Sequence, residues 1–403
     1  MTSARTAVIS GASIAGLSAA HWLRSTGWNI TVIERSPTFR DGGQNVDIRG
    51  IARDVLDRMG LFDAVKAQNT TETGTVIVDG SGKVTARLPS DGSDGATAEL
   101  EVLRGDLART ILEQLPEGVR FIYDDTIDQA TNGPDGVHIT TAAGRSLTAD
   151  LLVIAEGVRS TTRERVFGPD VDRRDLRVNM VFGTIPRLPG DDDQWRWHNA
   201  TGGRQVHLRP DNHGTTRAIL AYYPGDDLTR LDPAEALAQV RDRYAGAGWE
   251  SPRILDAFDT SDDVYIDHLV QIRMSTWHRG RIVVAGDAGW CVTPMGGGGA
   301  SLALTSGYVL AAYLASHDDD AVEAALVDYE QWMRPLVDDV QKLPRGLKYF
   351  AYPQTRFGLR VRGLLERALT SPLLKPLTAK FTQVAHTDQE LPTILLDERP
   401  ARS

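Results

Sequence analysis

Cysteine is almost missing from this chain of 403 residues: Cys291 stands alone. No intramolecular disulfide can form, and no cysteine-rich metal site exists. Lysine is scarce too, at six positions against 38 arginines. Long hydrophobic runs are absent. No stretch approaches the roughly 18 consecutive apolar residues of a membrane span. The opening MTSARTAVISGASIAG is broken by glycines and lacks the apolar h-region of a secretory leader, so a cytoplasmic protein is expected. An excess of positive charge is also lacking. Lys and Arg total 44 against 54 Asp and Glu, a net charge of −10, which excludes a general nucleic-acid binder. Apolar residues are not scarce. At 41% they exclude disorder across the whole chain, and the length points to two or more structural units.

Residues 5–10 read as a short strand, 17–24 as a helix of small and apolar residues, and 29–34 as a second strand. Gly27 ends the helix. This βαβ opening implies parallel strands with a right-handed crossover. A helix is expected over 50–59, a hairpin from 74–78 and 83–88, a polar loop over 90–97 and a helix over 105–115 that stops at Pro116. Strands follow near 119–123, 136–141 and 146–154. From about 175 to 274 alternating segments (177–185, 205–209, 217–223) predict an antiparallel sheet. One helix interrupts it at 233–245, with Asp232 as N-cap and Pro233 at its first position. A buried strand at 281–285, helices at 300–315 and 321–342, and a helical, basic tail complete the pattern.

The turn Gly11-Ala12-Ser13-Ile14-Ala15-Gly16 lies between the first strand and the first helix. Dinucleotide binding needs a tight turn, backbone close to a pyrophosphate, and helix amides aimed at negative charge. Gly11 supplies the turn and Gly16 the close helix–strand packing. Ser13 replaces the usual middle glycine; it is small and can hydrogen-bond. Glu34, followed by Arg35, lies eighteen residues beyond Gly16, where a carboxylate accepts from ribose hydroxyls. The competing reading is a plain βαβ turn with Glu34 as a surface acid.

The run from Arg281 to Ala300 (RIVVAGDAGWCVTPMGGGGA) places a buried strand before Gly286-Asp287, then Pro294, then four glycines opening a helix. It resembles the second flavin motif of the FAD-dependent aromatic monooxygenases, the para-hydroxybenzoate-hydroxylase-like family. The resemblance implies that Asp287 contacts the ribityl chain. It also implies that Pro294 and Gly296, Gly297, Gly298, Gly299 and Ala300 face the isoalloxazine. Residues 150–163 resemble the family's Asp-Gly motif, tied to flavin and NAD(P)H. Glu156 stands where aspartate is usual, and Gly157, Ser160 and Arg163 match. Arg104 matches the arginine that opens a helix beside the flavin. Gly42-Gly43 and Val46-Asp47-Ile48-Arg49-Gly50 resemble the segment over flavin and substrate, with Asp47 and Arg49 as its polar candidates. Ser301 and Ser306 replace the asparagine and aspartate usual in the following helix, and the pattern is most similar to the single-component, tetracycline-modifying branch.

Other groups carry weaker signals. Trp195-Arg196-Trp197 is similar to the tryptophan pair of flavin-dependent halogenases, but the Ile-Pro continuation is missing and Lys83 sits in a polar loop. A substrate-pocket or sheet-edge pair fits better. His198, His207, His213 and His268 show no metal-ligand spacing, so no metal is expected. His207 is on an alternating segment and can face substrate or core. Cys291 has no neighbouring base and reads as a buried thiol. Met295 and Trp290 face either the substrate side of the flavin or the core.

The expectation is an α/β protein with a Rossmann-like FAD domain of the glutathione-reductase type, a mixed-sheet substrate domain and C-terminal helices. The FAD domain is assembled from 1–73, 98–173 and 275–335, the substrate domain from 74–97 and 174–274, and the helical segment from 336–390. The resemblance implies an NAD(P)H monooxygenase that inserts one oxygen atom into an aromatic or polyketide-like small molecule through a flavin C4a-hydroperoxide. NADPH or NADH is the reductant, O2 the oxidant. Alternatives are a FAD-dependent reductase of an isoprenoid-like substrate, a halogenase, or a non-redox flavoprotein. Monomer and dimer both remain open.

Overall fold

The computed structural model describes residues 4–40, 42–88, 100–344, 346–369 and 389–394. The expected loop at 90–97 and the tail at 370–388 lie outside the described residues. The βαβ opening is present. β1 (Thr6–Ser10) leads through the glycine turn into α1 (Ile14–Ser25), and β2 (Asn29–Glu34) returns parallel to β1. Ten consecutive α1 residues, Ile14 to Leu23, are buried, which explains their small or apolar character. The chain continues through β3 (Asn45–Asp47), α2 (Ile51–Arg58), α3 (Phe62–Lys66) and the hairpin β4 (Gly74–Val78) and β5 (Val84–Arg87). β6 (Glu101–Leu103) pairs antiparallel with β3 and runs directly into α4 (Arg104–Glu113).

Next come β7 (Arg120–Tyr123), β8 (Ile127–Gly133), β9 (Gly136–Thr141), β10 (Ser146–Ala149) and β11 (Leu151–Ile154). The single strand expected over 146–154 is two strands in different sheets. Asp150 stands at the break, where its carboxylate accepts from Thr6 N at 2.8 Å and Thr6 Oγ1 at 3.0 Å. That anchor swings β11 alongside β1. α5 (Thr161–Phe167) precedes β12 (Val171–Pro186), β13 (Gln194–Ala200), β14 (Arg204–Pro210) and β15 (Thr215–Tyr222). α6 (Pro233–Tyr244) is capped as expected: Asp232 accepts from Ala234 N at 2.9 Å. α7 (Ser251–Phe258) was not foreseen, because Pro252 near its start reads as a turn. β16 (Tyr265–Met274), β17 (His278–Arg279) and β18 (Ile282–Val284) lead to α8 (Asp287–Trp290), α9 (Thr293–Gly296), α10 (Gly299–Ser316) and α11 (Val322–Val340). Two further helices close the described chain, α12 (Leu347–Ala351) and α13 (Arg356–Leu369).

Besides the β3-β6 pair, three larger sheets organise the described residues. A six-stranded sheet runs β17-β18-β11-β1-β2-β7, parallel except at β17. A small antiparallel sheet is β10-β9-β8. A seven-stranded sheet runs β16-β12-β15-β14-β13-β4-β5. It is mixed, as expected: β12 to β16 pair antiparallel with one another, and β4 joins β13 in parallel. One face of this sheet packs on α6 and α7, with Val181, Val206 and Leu220 against Ile254, Leu255 and Phe258. The other face is free of these two helices; Tyr352 packs on part of it with Leu176, Ala221 and Leu269, and Arg362 lies over Trp197. α10 is long and apolar enough to cross a bilayer, but it is mostly buried in the main core. A Cβ on Gly307 would lie 2.4 Å from Ser18 Oγ, so glycine there lets α10 lie directly against α1.

Candidate active site

The Gly11–Gly16 turn is built by close backbone approach. A Cβ at Gly11 would lie 2.4 Å from Ala155 O, and one at Gly16 only 1.9 Å from Gly11 O. Gly11 also has φ +109°, a region that L side chains rarely adopt. Ser13 is different: its φ is −111° and ψ −171°, an extended conformation open to any residue. This is why serine is tolerated at the middle position. Its hydroxyl accepts from the Arg104 guanidinium at 2.8 Å and does not cap α1. The first amides of α1, at Ile14 and Ala15, therefore have no side-chain cap, and no acid occupies the first turn. Glu34 accepts from Ala12 N and Ser36 N, both at 2.9 Å. One bond per oxygen leaves acceptor capacity for ribose hydroxyls. Arg35 beside it is exposed.

The second glycine loop meets the first. Gly286 has φ +61°, and a Cβ there would lie 2.7 Å from the Ala15 Cβ. Asp287 follows at the start of α8, with Gly299 close by: a Cβ there would be 3.9 Å from Asp287 Oδ1. Gly297 and Gly298 both have φ +69°, and Gly298, which has no side chain to cap with, precedes α10. Ala300 lies in the first turn, again free of acids. Pro294 is exposed in α9. Thr293 has φ +63°, costly for a β-branched residue, and its buried hydroxyl has no partner. Ser301 Oγ accepts from Arg49 N at 3.0 Å and donates to Asp47 O at 3.2 Å, which fastens the 47–49 segment to α10. Asp47 and Arg49 form an ion pair at 2.9 Å. A Cβ on Gly43 would meet Arg104 Cβ at 3.0 Å. Segments distant in sequence thus converge around two uncapped helix N-termini and one arginine.

Asp287 is open to solvent, yet surrounding protein raises its carboxyl above the ordinary value, with Arg104 opposing. Tyr265 behaves alike: it is 41% exposed, but crowding pushes its hydroxyl up. Asp267 is raised to about 6 by burial, with Arg159 opposing and Asp287 adding to the rise. Asp267, Tyr265 and Arg159 were not identified from sequence. Alternation on 265–274 was the only signal for the first two.

Glu156 and Arg163 turn inward. The Glu156 carboxylate accepts from Ser10 Oγ at 2.5 Å, Ser160 Oγ at 2.6 Å, Thr162 Oγ1 at 2.6 Å and Thr162 N at 3.2 Å. It ties β1 to the start of α5. Arg163, 0% exposed, donates to Ala288 O and Val158 O, both at 2.9 Å. The expectation that these two side chains meet NAD(P)H or substrate gives way to a bracing role: Arg163 holds α5 against α8. Trp290 belongs to the core, with its ring 4.3 Å from that of Trp277. Burial, and then Asp287, raise the Cys291 thiol well above its ordinary range, so it is a poor nucleophile.

The free face of the seven-stranded sheet carries a row read across five strands by register: Trp197, His207, Ile219, Phe182 and Tyr265. Phe182 and Tyr265 stack at 4.9 Å, and Trp195 and Trp197 at 5.7 Å. His207 Nδ1 accepts from Trp195 Nε1 at 3.0 Å, and its Nε2 lies 3.3 Å from Gln205 Oε1. Burial, reinforced by Arg209, lowers its pKa well below the ordinary value, so it is neutral. Beside the row, Arg209 binds Glu72 at 2.9 Å and Glu101 at 2.5 Å under the Trp195 ring. Met295 packs toward this face with Leu176, Ala221 and Leu269. Among the described residues no group of three or more His, Cys, Asp or Glu is placed to hold a metal ion.

The family model described as "FAD binding domain" matches residues 4–343. The chain belongs to the FAD-binding monooxygenase family. It is 33% identical to the flavin-dependent monooxygenase eupH of Phoma sp over 385 residues, 88% of this chain and 89% of that one. It superposes on the tetracycline destructase Tet(55) with a TM-score of 0.78 and 26% identity, covering 98% of this chain and 100% of the other. Klebsiella pneumoniae HpxO, solved with FAD and uric acid, shares the fold: TM-score 0.77, 22% identity, 93% and 96% covered. The expected α/β fold with a Rossmann-like FAD domain is therefore present, and the chain is a flavin-dependent oxidoreductase using FAD. The site fits that cofactor, because the clashing glycines, uncapped helix starts and free Glu34 lone pairs form an anion and ribose cradle. When bound, FAD supplies acceptance of electrons from NAD(P)H and activation of O2.

Proposed function

We propose that this monooxygenase adds one oxygen atom to a flat aromatic or polyketide-like molecule bound between the two glycine loops and the free face of the seven-stranded sheet. The observation that carries the reading is the cross-strand row Trp197–His207–Ile219–Phe182–Tyr265. It is aromatic, apolar and uncharged, as a planar ring requires. The 26% identity to a tetracycline destructase supports a polycyclic phenol as the first compound to try.

In this reading, Gly11, Ser13, Ile14, Ala15 and Gly16 hold the pyrophosphate on the α1 N-terminus. Glu34 takes the ribose, with Arg35 at its outer side. Arg104, Asp47, Gly286 and Asp287 hold the ribityl chain and its surroundings. Pro294, Gly296, Gly297, Gly298, Gly299 and Ala300 aim the α10 N-terminus at the reduced ring, where uncapped amides stabilise negative charge. Arg49 and Met295 border the substrate. His207, neutral and held by Trp195, keeps the floor uncharged. Closure of this space against water protects the oxygen-transfer step. The units divide as 1–73, 98–173 and 275–335 for the cofactor and 74–97 and 174–274 for substrate, with 336–390 bracing the join. β12 starts in the first unit and continues into the second, paired on both sides of a register shift with β16. In the same reading the protein works in the cytoplasm.

The test is NAD(P)H oxidation and O2 uptake by the FAD-loaded protein across a panel of polycyclic phenols, with product mass. The expected result is substrate-stimulated oxidation and a product heavier by one oxygen. Reduction of the compound without O2 uptake, or chloride incorporation, refutes the proposal.

A further inference from the structure

The C-terminal helices carry an unusual surface. On α13, Phe357, Val361, Leu364 and Leu365 are 75%, 39%, 65% and 44% exposed. Their spacing of i, i+4, i+7 and i+8 puts them on one stripe. On α12, Tyr349 is 68% exposed as well. The stripe points away from the body of the protein. The opposite side of α13 is anchored by Arg362, which is buried, donates to Asn199 Oδ1 at 2.9 Å and Ala351 O at 2.5 Å, and lies over the Trp197 ring. Arg356 and Arg360, both exposed, flank the stripe on one side.

Charge is segregated along this stretch of the sequence. Residues 342–380 contain nine Lys or Arg and one Glu, a net of +8 in a chain whose total is −10. The acidic remainder is repelled by an anionic surface while this segment is drawn to it. An exposed apolar stripe bordered by arginines on an outward-facing helix matches a helix that lies in a lipid interface, apolar side down. We infer that α12 and α13 dock the enzyme peripherally on an anionic lipid bilayer, with Phe357, Val361, Leu364 and Leu365 entering the headgroup–acyl boundary. No span is involved. The α13 anchor on Asn199 and Trp197 places the bound membrane next to the sheet that carries the aromatic row. Lipophilic compounds dissolved in the bilayer then reach the protein close to that face.

The full-length, FAD-loaded protein is sedimented with phosphatidylcholine vesicles, with and without phosphatidylglycerol, in the absence of any substrate. Expected is pelleting with the phosphatidylglycerol vesicles, loss of it at high salt, and little with phosphatidylcholine alone. R356E/R360E should weaken binding about 30-fold or more, from the attraction of each basic residue at such a surface. L364D should abolish it. FAD absorbance and sedimentation velocity on the same samples establish that both variants remain folded. Three results overturn the inference: no pelleting with anionic vesicles, pelleting unaffected by both variants, or a dimer that L364D converts to monomer without any vesicle binding. The last assigns the stripe to a second copy of the chain. Because no turnover is measured, the outcome is independent of the proposed substrate class.

Discussion

Replacing Gly286 by alanine tests how the two cofactor loops are joined. Gly286 has φ +61°, and the new Cβ would stand 2.7 Å from the Ala15 Cβ. Carbon atoms in contact prefer about 3.5–4.0 Å, so the first turn of α1 must move by about 1 Å. Two costs combine. Its ψ of −147° puts Gly286 in a region close to glycine-only, which costs about 1–3 kcal/mol for an L side chain, and the overpacking adds about 1–3 kcal/mol. Gly168→Ala supplies the control, since Gly168, at the end of α5, has a comparable backbone of φ +46° and ψ −113° with nothing within 4 Å of a Cβ. Urea denaturation without FAD should show a loss of about 1–3 kcal/mol for G168A and about 2–6 kcal/mol for G286A. FAD affinity, read by flavin fluorescence, separates them further. G168A should leave it unchanged. G286A should weaken it about tenfold or more, because displacement of α1 spoils the amide cradle at about 1.4 kcal/mol per decade. Equal stability losses and equal FAD affinities in the two variants would refute the contact between the loops.

Glu156→Ala strands four donors and should cost about 3 kcal/mol in denaturation, while KM for NAD(P)H moves little, because the carboxylate faces inward. Glu330 is held at about 2, against an ordinary 4.5; burial opposes this, but His278, Trp277 N and Arg334 outweigh it. Its folded pKa is depressed, so its stabilisation is present above about pH 4.5 and is lost as pH falls toward about 2. Glu330→Gln should lower stability by about 3 kcal/mol near pH 7 and converge with the parent at the acid end of a denaturation series. Asp267 has the opposite sign: burial raises it from 3.8 to about 6. The folded state then loses stability as pH rises through that interval. Asp267→Asn should gain about 1–2 kcal/mol near pH 7, discounted for its partial exposure, and nothing below about pH 4 in the same assay. Arg362→Met removes the clasp of α13 on Asn199 and Ala351, and limited proteolysis should cut the C-terminal segment about tenfold faster or more.

The opening βαβ unit was legible because three physical requirements coincide in few residues: buried strands, a tight turn and close helix packing. Gly11 and Gly16 are required by atoms less than 2.5 Å from where a Cβ would sit. Asp232 and Pro233 announced α6 for an equally local reason, a cap and a preset φ. Where the reading failed, the deciding partner was remote. The split of 146–154 depends on Asp150 meeting Thr6. Glu156 looked like an altered nucleotide contact because its partners Ser10 and Thr162 are only seen once β1 and α5 are packed.

The same contrast separates cofactor from substrate. A cofactor shared by a family imposes its shape on backbone, and backbone demands are written as glycines at characteristic spacings. The proposed substrate surface has no such local code. Trp197, His207, Ile219, Phe182 and Tyr265 become one row only through the register of five strands, and a slip of one residue in any pairing would turn that strand's contribution to the other face. His207 was ambiguous for this reason: alternation gave it a face but not which one. Its neighbours Val206 and Leu208 pack on the α6–α7 side, and this directs the imidazole to the opposite face, beside Trp195 and Trp197. Specificity in this fold is thus free to diverge through side chains on one sheet face while the glycine framework, tied to atoms that cannot move, stays as it is.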